Sequence, residues 1–564
     1  MLFRSKEVHE VIETIDTMMG ADQTKISAGL DRVFDATDGM DDANVVTVSP
    51  AVLSDLGLES GGPAWAAFQP TLLGGRHHLE RIISQPTKDL DQLHARQRAA
   101  QWIRGRPEVH ALITRLIRVE PSALWALSSP DMTAAGMPLM FPTWPVLSQI
   151  NRSGLMLAAY HFYRGVVSPA MSIASPLSTI LPPFWYLRKT GISFLFYLRM
   201  VFTILWQAMS MSKMAIKLGV ILVYLFIYLY GVVSSIELAN MVRRVRSAIW
   251  DKAAAVHNFL ETAQRLIRMT PPDVLNAYSV STTSSTTVPS LSVQSISDIY
   301  VLWTDVEKQR ALIDVLRLVY SLDVAGTAAR MLGTNACIAT FAQTTRILGV
   351  RHPLLKAGQR NPVSLGRSLI ITGPNAAGKS TYVKAIMFNV LLAQTLGVVT
   401  AISAQVQLWD SILSYMRVTD TTGVASLFEA EMERCSQVLS EAKGAAIVFL
   451  DEPMHSCPPT EGACAARAMV KHIAVRNHSA RVVVTTHYHT LIDLEEECPD
   501  HFQNVSMEAI ENKQHSSGLH FPYKLKRGGS YQCIALELLG ALDQLPKYVI
   551  QDAIKYKNII CQSQ

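Results

Sequence analysis

The stretch SLIITGPNAAGKSTYVKAIMF, residues 368–388, leaves this chain few folding options. An apolar run, Ser368 to Ile371, leads into Gly373, then four residues, then Gly378-Lys379-Ser380, and Thr381 to Leu396 read as a helix. Strand, glycine-rich turn and helix in that order form the frame in which a loop wraps a phosphate. Glycines let backbone N–H groups converge on an anion, and the helix start adds the positive end of its dipole. Gly373, Pro374, Asn375, Ala376, Ala377, Gly378, Lys379, Ser380 and Thr381 are therefore the candidate nucleotide-binding residues. Lys379 is placed to bridge the β- and γ-phosphates, and the Ser380 hydroxyl to ligate Mg²⁺. After Arg351 the pattern is short apolar strands alternating with helices and Gly-rich turns, which predicts a parallel α/β domain.

A second apolar run, AAIVFLDE at residues 445–452, reads as a buried strand ending in two acids. Asp451 is the candidate Mg²⁺ ligand, acting through water, and Glu452 the group that polarises the attacking water. Acids at strand ends are common on α/β surfaces, and it is the pairing with the loop that gives these two their meaning. A third run, RVVVTTHYHTL at residues 481–491, leads to His487, whose imidazole is a candidate partner for the γ-phosphate or the attacking water. His489 reads as solvent-facing or packing.

The centre of the chain has a different character. Residues 191–212 are apolar apart from Arg199, and the nineteen residues 218–236, LGVILVYLFIYLYGVVSSI, carry no charge. Nineteen helical residues rise about 28 Å, close to the hydrocarbon thickness of a bilayer. The competing reading is a helical hairpin buried in a soluble domain, but such a helix needs a polar stripe, and here only Ser234 and Ser235 offer one. Arg199 weakens the first span, at a cost of about 2.5–3.5 kcal/mol if it sits mid-bilayer. Arg188, Lys189, Arg243, Arg244 and Arg246 flank the pair and outnumber Lys213 and Lys217 in the turn, which favours cytosolic chain ends. Residues 165–187 are also uncharged, but Pro169, Pro176, Pro182 and Pro183 predict a loop or re-entrant segment. Two spans are expected, with this stretch as a candidate third.

Whole-chain figures agree. The 564 residues are 49% hydrophobic and only 17% charged, with a mean hydropathy of +0.19, which excludes a disordered chain and argues against a wholly soluble one. A net charge of +5 gives no general attraction to polyanions. Seven cysteines without a C-x-x-C pair read as reduced thiols, not a disulfide framework or zinc site. The first twenty residues turn acidic and amphipathic where a signal peptide needs an apolar core. Residues 86–118, 240–269 and 297–332 read as helical, and the Ser/Thr-rich run at 279–295 as a flexible connection.

The C-terminal half resembles the ATPase domain of the MutS family of DNA mismatch-repair proteins. TGPNAAGKSTYVK is similar to the family's phosphate loop, Arg351-His352-Pro353 to its entry segment, and VVVTTHYHTL to its THY segment. SLFEAEMERCSQVL, residues 426–439, resembles the helix whose leading serine reaches the γ-phosphate across the dimer, which nominates Ser426. Residues 521–553 resemble the dimer-interface stretch, residues 68–103 the start of the helical core domain, and residues 319–329 the end of the lever. The implied fold is an α/β P-loop ATPase domain of the ABC type at residues 346–564. It follows an all-α core and lever domain at residues 1–150 and 247–345, interrupted at 151–246 by a transmembrane helical hairpin. ATP and Mg²⁺ are the implied cofactors, with a second copy or a related MutS-like chain as partner.

Three departures bear on function. The family's GRGTS after the acidic pair is replaced by Met454-His455-Ser456-Cys457-Pro458. About sixty residues precede the core segment, too few for the mismatch-reading and connector domains, and no Phe-x-Glu wedge occurs near the N-terminus. The family's DNA-clamp position holds the apolar insert. The reading is a membrane-anchored, dimeric MutS-like ATPase, with DNA as an open partner and its ATPase on the cytosolic side (or the nuclear or viral-factory side if DNA-associated). An ABC-type transporter and an ATP-switched membrane scaffold are the alternatives. Two spans are few for a translocation path, and the usual LSGGQ is absent.

Overall fold

The computed structural model describes residues 23–34, 44–59, 61–128, 148–208, 214–278, 291–355, 357–416, 427–511, 519–532, 534–536 and 546–563. The chain divides into two compact units, one of residues 1–34, 118–264 and 289–315, the other of residues 35–117, 265–288 and 316–564.

The first unit is helical among its described residues. Gln23–Phe34 lies so close to Glu120–Leu127 that a Cβ on Gly29 would stand 2.6 Å from the Leu124 carbonyl oxygen. Trp125 meets Trp303 edge-on at 5.4 Å between ring centres. Ser295 and Asp298 form a reciprocal capping box that starts the helix Ile296–Thr304.

The uncharged stretch with four prolines corrects its expectation. Residues 168–187 form one 20-residue helix, Ser168–Leu187, where a loop or re-entrant segment is predicted. Pro169 sits in the first turn, where no intrahelical N–H is required. Further along, the Tyr228 hydroxyl donates to the Ile173 carbonyl at 2.8 Å, tying this helix to Met214–Met269. Phe194–Ala208 follows, with Phe184 packed edge-on to Phe194 at 4.9 Å.

Met214–Met269 is a single helix of 56 residues, about 84 Å long at 1.5 Å per residue. Its character changes along its length. Ala239, Val242, Val245, Ile249, Ala253, Val256, Leu260 and Ala263 are buried at three- and four-residue spacing, an amphipathic stripe. The most apolar eighteen-residue window before them is not buried at all, so within this chain it is not the core helix of the competing reading. Of the expected turn at Lys213 and Lys217, Lys213 lies outside the described residues, whereas Lys217 is already within the helix Met214–Met269. Residues 279–290 of the Ser/Thr-rich connection also lie outside the described residues.

The second unit is mixed α/β. Its main sheet contains β1 (Thr47–Val48), β2 (Ser368–Thr372), β3 (Ser411–Tyr415), β4 (Ala446–Asp451), β5 (Arg481–Thr485), β6 (Phe502–Met507) and β7 (Leu525–Arg527), in the order β1-β3-β4-β5-β2-β6-β7. All neighbours are parallel except β6 and β7. β1 comes from a stretch expected to be helical and closes one edge, pairing Thr47 with Ser411 and Val48 with Ile412.

The helix Lys379–Thr395 is buried on nearly every side. Its far end is held by Arg96, which donates to the Thr395 carbonyl at 2.6 Å, while Gln97 donates to the Gly397 carbonyl at 3.0 Å. The helix Leu73–Ser84 meets Val306–Thr334 so closely that a Cβ on Gly74 would fall 2.0 Å from the Tyr320 ring. Beside it, the buried Asp323 carboxylate accepts from the backbone N–H groups of Thr71 and Leu72 at 2.9 and 2.8 Å, satisfying the start of that helix.

Candidate functional site

Parallel strands in the order β4-β5-β2 bring three carboxyl ends side by side, where ligands of open α/β sheets bind. The glycine-rich loop follows β2, Asp451 ends β4, and His487 lies two residues past β5. The sequence candidates on three separate runs therefore converge because of strand order.

The loop backbone is shaped for close approach. Gly373 has φ +142°, and a Cβ there would stand 2.0 Å from the Met507 carbonyl oxygen, so only glycine fits. Ala376 and Gly378 also have positive φ, +65° and +92°. Lys379 begins the helix and is 5% exposed. Its ammonium donates to the carbonyls of Gly373 at 2.9 Å and Pro374 at 3.2 Å, and lies 3.8 Å from Glu452 Oε1. Burial pushes the Lys379 pKa down, opposed by the charges of Glu452 and Asp451.

The acidic pair is held from β5. Ser380 Oγ donates to Asp451 Oδ1 at 3.0 Å, and Thr485 Oγ1 donates to the same oxygen at 2.5 Å. Thr485 Oγ1 also accepts the Glu452 backbone N–H at 3.1 Å. Glu452 has φ +51° and turns its carboxylate towards His487, whose Nε2 lies 2.7 Å from Glu452 Oε1 and 3.3 Å from Lys379 Nζ.

Asn375, Ala377 and Thr381 line, with the rest of the loop and both acids, a cleft of about 790 Å³. His352, Leu355, His455 and Tyr523 form its other walls. Tyr523, at φ +54°, is fixed by Asn361, which donates to its carbonyl at 2.8 Å. Ser426 lies outside the described residues, although the helix that follows it, Leu427–Glu441, is present. Thr485, His352 and Tyr523 were not anticipated as site residues. Thr485 had a signal, a hydroxyl residue closing the strand next to His487, whereas Tyr523 reaches the cleft from a segment more than 140 residues beyond the loop.

Residues 369–560 match the family described as MutS domain V. Over this segment the chain is similar to the MutS family. The matched residues include the whole phosphate loop, both acids, His487 and Tyr523. The DNA mismatch repair protein MutS of Leuconostoc mesenteroides is 29% identical over 250 residues, 42% of this chain and 29% of that protein. The protein of the same name from Carboxydothermus hydrogenoformans is 31% identical over 268 residues, 46% of this chain and 31% of that protein. The DNA mismatch repair protein MSH3 of Phaeosphaeria nodorum is 28% identical over 259 residues, 44% of this chain and 23% of its own length. The chain thus matches less than a third of the length of each of these relatives.

Proposed function

We propose that this chain is a membrane-anchored MutS-type ATPase that binds and hydrolyses ATP as a dimer and is coupled to DNA transactions of the mismatch-repair kind. The observation that carries this reading is the convergence of Lys379, Ser380, Asp451 and Glu452 around one cleft, with His487 against Glu452. Lys379 and the loop N–H groups bind the phosphates. Ser380 and Asp451 would hold Mg²⁺, which when bound offsets phosphate charge. Their hard oxygens, 3.0 Å apart, suit that ion. Mg²⁺ takes one or two protein oxygens beside those of the nucleotide, so no larger ligand cluster is needed. Among the described residues there is no group of three or more His, Cys, Asp and Glu arranged for a metal. Glu452 accepts the proton of the attacking water as the new bond to the γ-phosphorus forms and the bond to ADP breaks. His487 holds Glu452 in place.

Support for the anchor comes from exposed apolar side chains along the insert. Trp185, Leu195 and Tyr224 are 75%, 80% and 74% exposed, and the apolar part of Met214–Met269 is long enough to span a bilayer. The flanking arginines favour an ATPase on the cytosolic side. The replaced segment at residues 454–458 favours a second reading, an ATP-switched membrane scaffold with little turnover and no DNA.

The test is ATP turnover of the lipid-reconstituted chain with no DNA, matched duplex and mismatched duplex across a salt series. Stimulation by DNA that falls steeply with salt supports the coupling, since phosphate contacts release counterions. Turnover indifferent to DNA removes the coupling, and absent turnover moves the reading to the scaffold.

A further inference from the structure

The segment that departs from the family pattern is held by one buried carboxylate. Glu452 and Met454 both have positive φ, +51° and +64°, a region that disfavours residues with side chains, so this turn needs outside support. Glu431, on the helix Leu427–Glu441, supplies it. Its side chain is fully buried. Oε1 accepts from the His455 backbone N–H at 3.1 Å, from His455 Nδ1 at 3.2 Å and from the Tyr415 hydroxyl. Oε2 accepts from the Ser456 backbone N–H at 3.1 Å and from the Ser456 hydroxyl. Five donors therefore converge on two oxygens, a load that only an ionised carboxylate accepts in full. Burial alone would push this acid's pKa up, but the donors from Ser456 and Tyr415 hold it below the ordinary range. On the other side of the turn, the Tyr488 hydroxyl donates to the Met454 carbonyl at 3.0 Å. The turn begins at Glu452 and includes His455, and both line the nucleotide cleft.

We infer that Glu431 is a positioning residue for the ATPase site: its carboxylate fixes the turn from Glu452 to Ser456 and thereby the aim of Glu452 at the attacking water. The inference rests on the ATPase reading above. A glutamine at position 431 keeps the shape but turns an NH₂ group towards donors, which loosens one side of the turn.

The experiment compares kcat and KM for ATP in the full lipid-reconstituted chain, with binding of a non-hydrolysable ATP analogue measured in parallel. Glu431→Gln is expected to lower kcat by about 10–100-fold, the scale of a misplaced catalytic group, with KM and analogue affinity within about threefold. In a Glu452→Gln background the same change is expected to lower kcat no further, because the group it positions is already gone. Equal losses in both backgrounds, a loss carried by KM, or unchanged kcat would each overturn the inference. Should Glu431→Gln fail to fold, Ser456→Ala removes a single donor, and a kcat loss of about threefold or more confined to the Glu452-containing chain is then required. A wild-type chain that binds the analogue but turns over no ATP would instead sink the ATPase reading itself.

Discussion

Asp451 and Glu452 are adjacent in sequence but turn to different partners, and Thr485 keeps them apart. Its hydroxyl donates to one carboxylate while accepting the backbone N–H of the other residue, so Asp451 faces Ser380 while Glu452 faces His487. Glu452→Gln is expected to retain ATP binding while turnover falls by about 10²–10⁴-fold, the scale of a lost general base. Unchanged single-turnover hydrolysis would remove Glu452 from that role. Lys379→Ala should instead weaken ATP binding by about 10–100-fold, the range for a lost charge-assisted hydrogen bond, which equilibrium binding reads directly. His78 gives a stability prediction. It is fully buried against the Tyr278 carbonyl, 3.0 Å from Nε2, and burial pushes its pKa down to about 3 from 6.5. Between these values the unfolded chain binds a proton that the folded chain does not. Its contribution is therefore full above pH 6.5 and is lost as pH falls towards 3, by at most about 1.4 kcal/mol per unit. Thermal unfolding at about pH 7.5 and about pH 5.5 should show a smaller difference for His78→Gln than for wild type, and an equal difference would contradict the assignment.

At the scale of elements, legibility followed local physics. The strand before the loop, the helix after it and the strand ending in Asp451 could be read from sequence because each is a continuous apolar run closed by glycine or acid. The helix Ser168–Leu187 could not, because three internal prolines locally disfavour the helix that the folded chain nevertheless forms. The two-residue strand Thr47–Val48 has no pattern of its own and exists through pairing with β3. Glu431 was readable only as a helix residue, since its five donors lie in other segments. Two element-level predictions follow from packing. Gly74→Val should destabilise the second unit by about 1–3 kcal/mol or more through overpacking against Tyr320, read as a lowered melting temperature, and an unchanged one would show that the helices part easily. Leu225→Arg, placed mid-window in the exposed apolar part of Met214–Met269, should weaken membrane retention by about 2.5–3.5 kcal/mol. Equal recovery of variant and wild type in the membrane fraction would contradict a spanning role.

At the scale of the whole molecule, the chemistry and the apolar surface belong to different units. The cleft is built within the second unit, the exposed apolar helices within the first, and both Met214–Met269 and Val306–Thr334 contribute residues to each. Residues 68–103 and 319–329 meet within the second unit, where Gly74 and Gly75 of the former pack on Tyr320 and Asp323 of the latter. An ATPase site and a membrane anchor on one chain is the proposal with most at stake. It is tested most directly by floating proteoliposomes of the full chain through a density gradient and measuring Mg²⁺-dependent ATP hydrolysis in every fraction. Hydrolysis is expected to rise with the lipid and to disappear in Lys379→Ala. Hydrolysis left at the bottom of the gradient, or lipid-bound protein whose hydrolysis is untouched by Lys379→Ala, would contradict it.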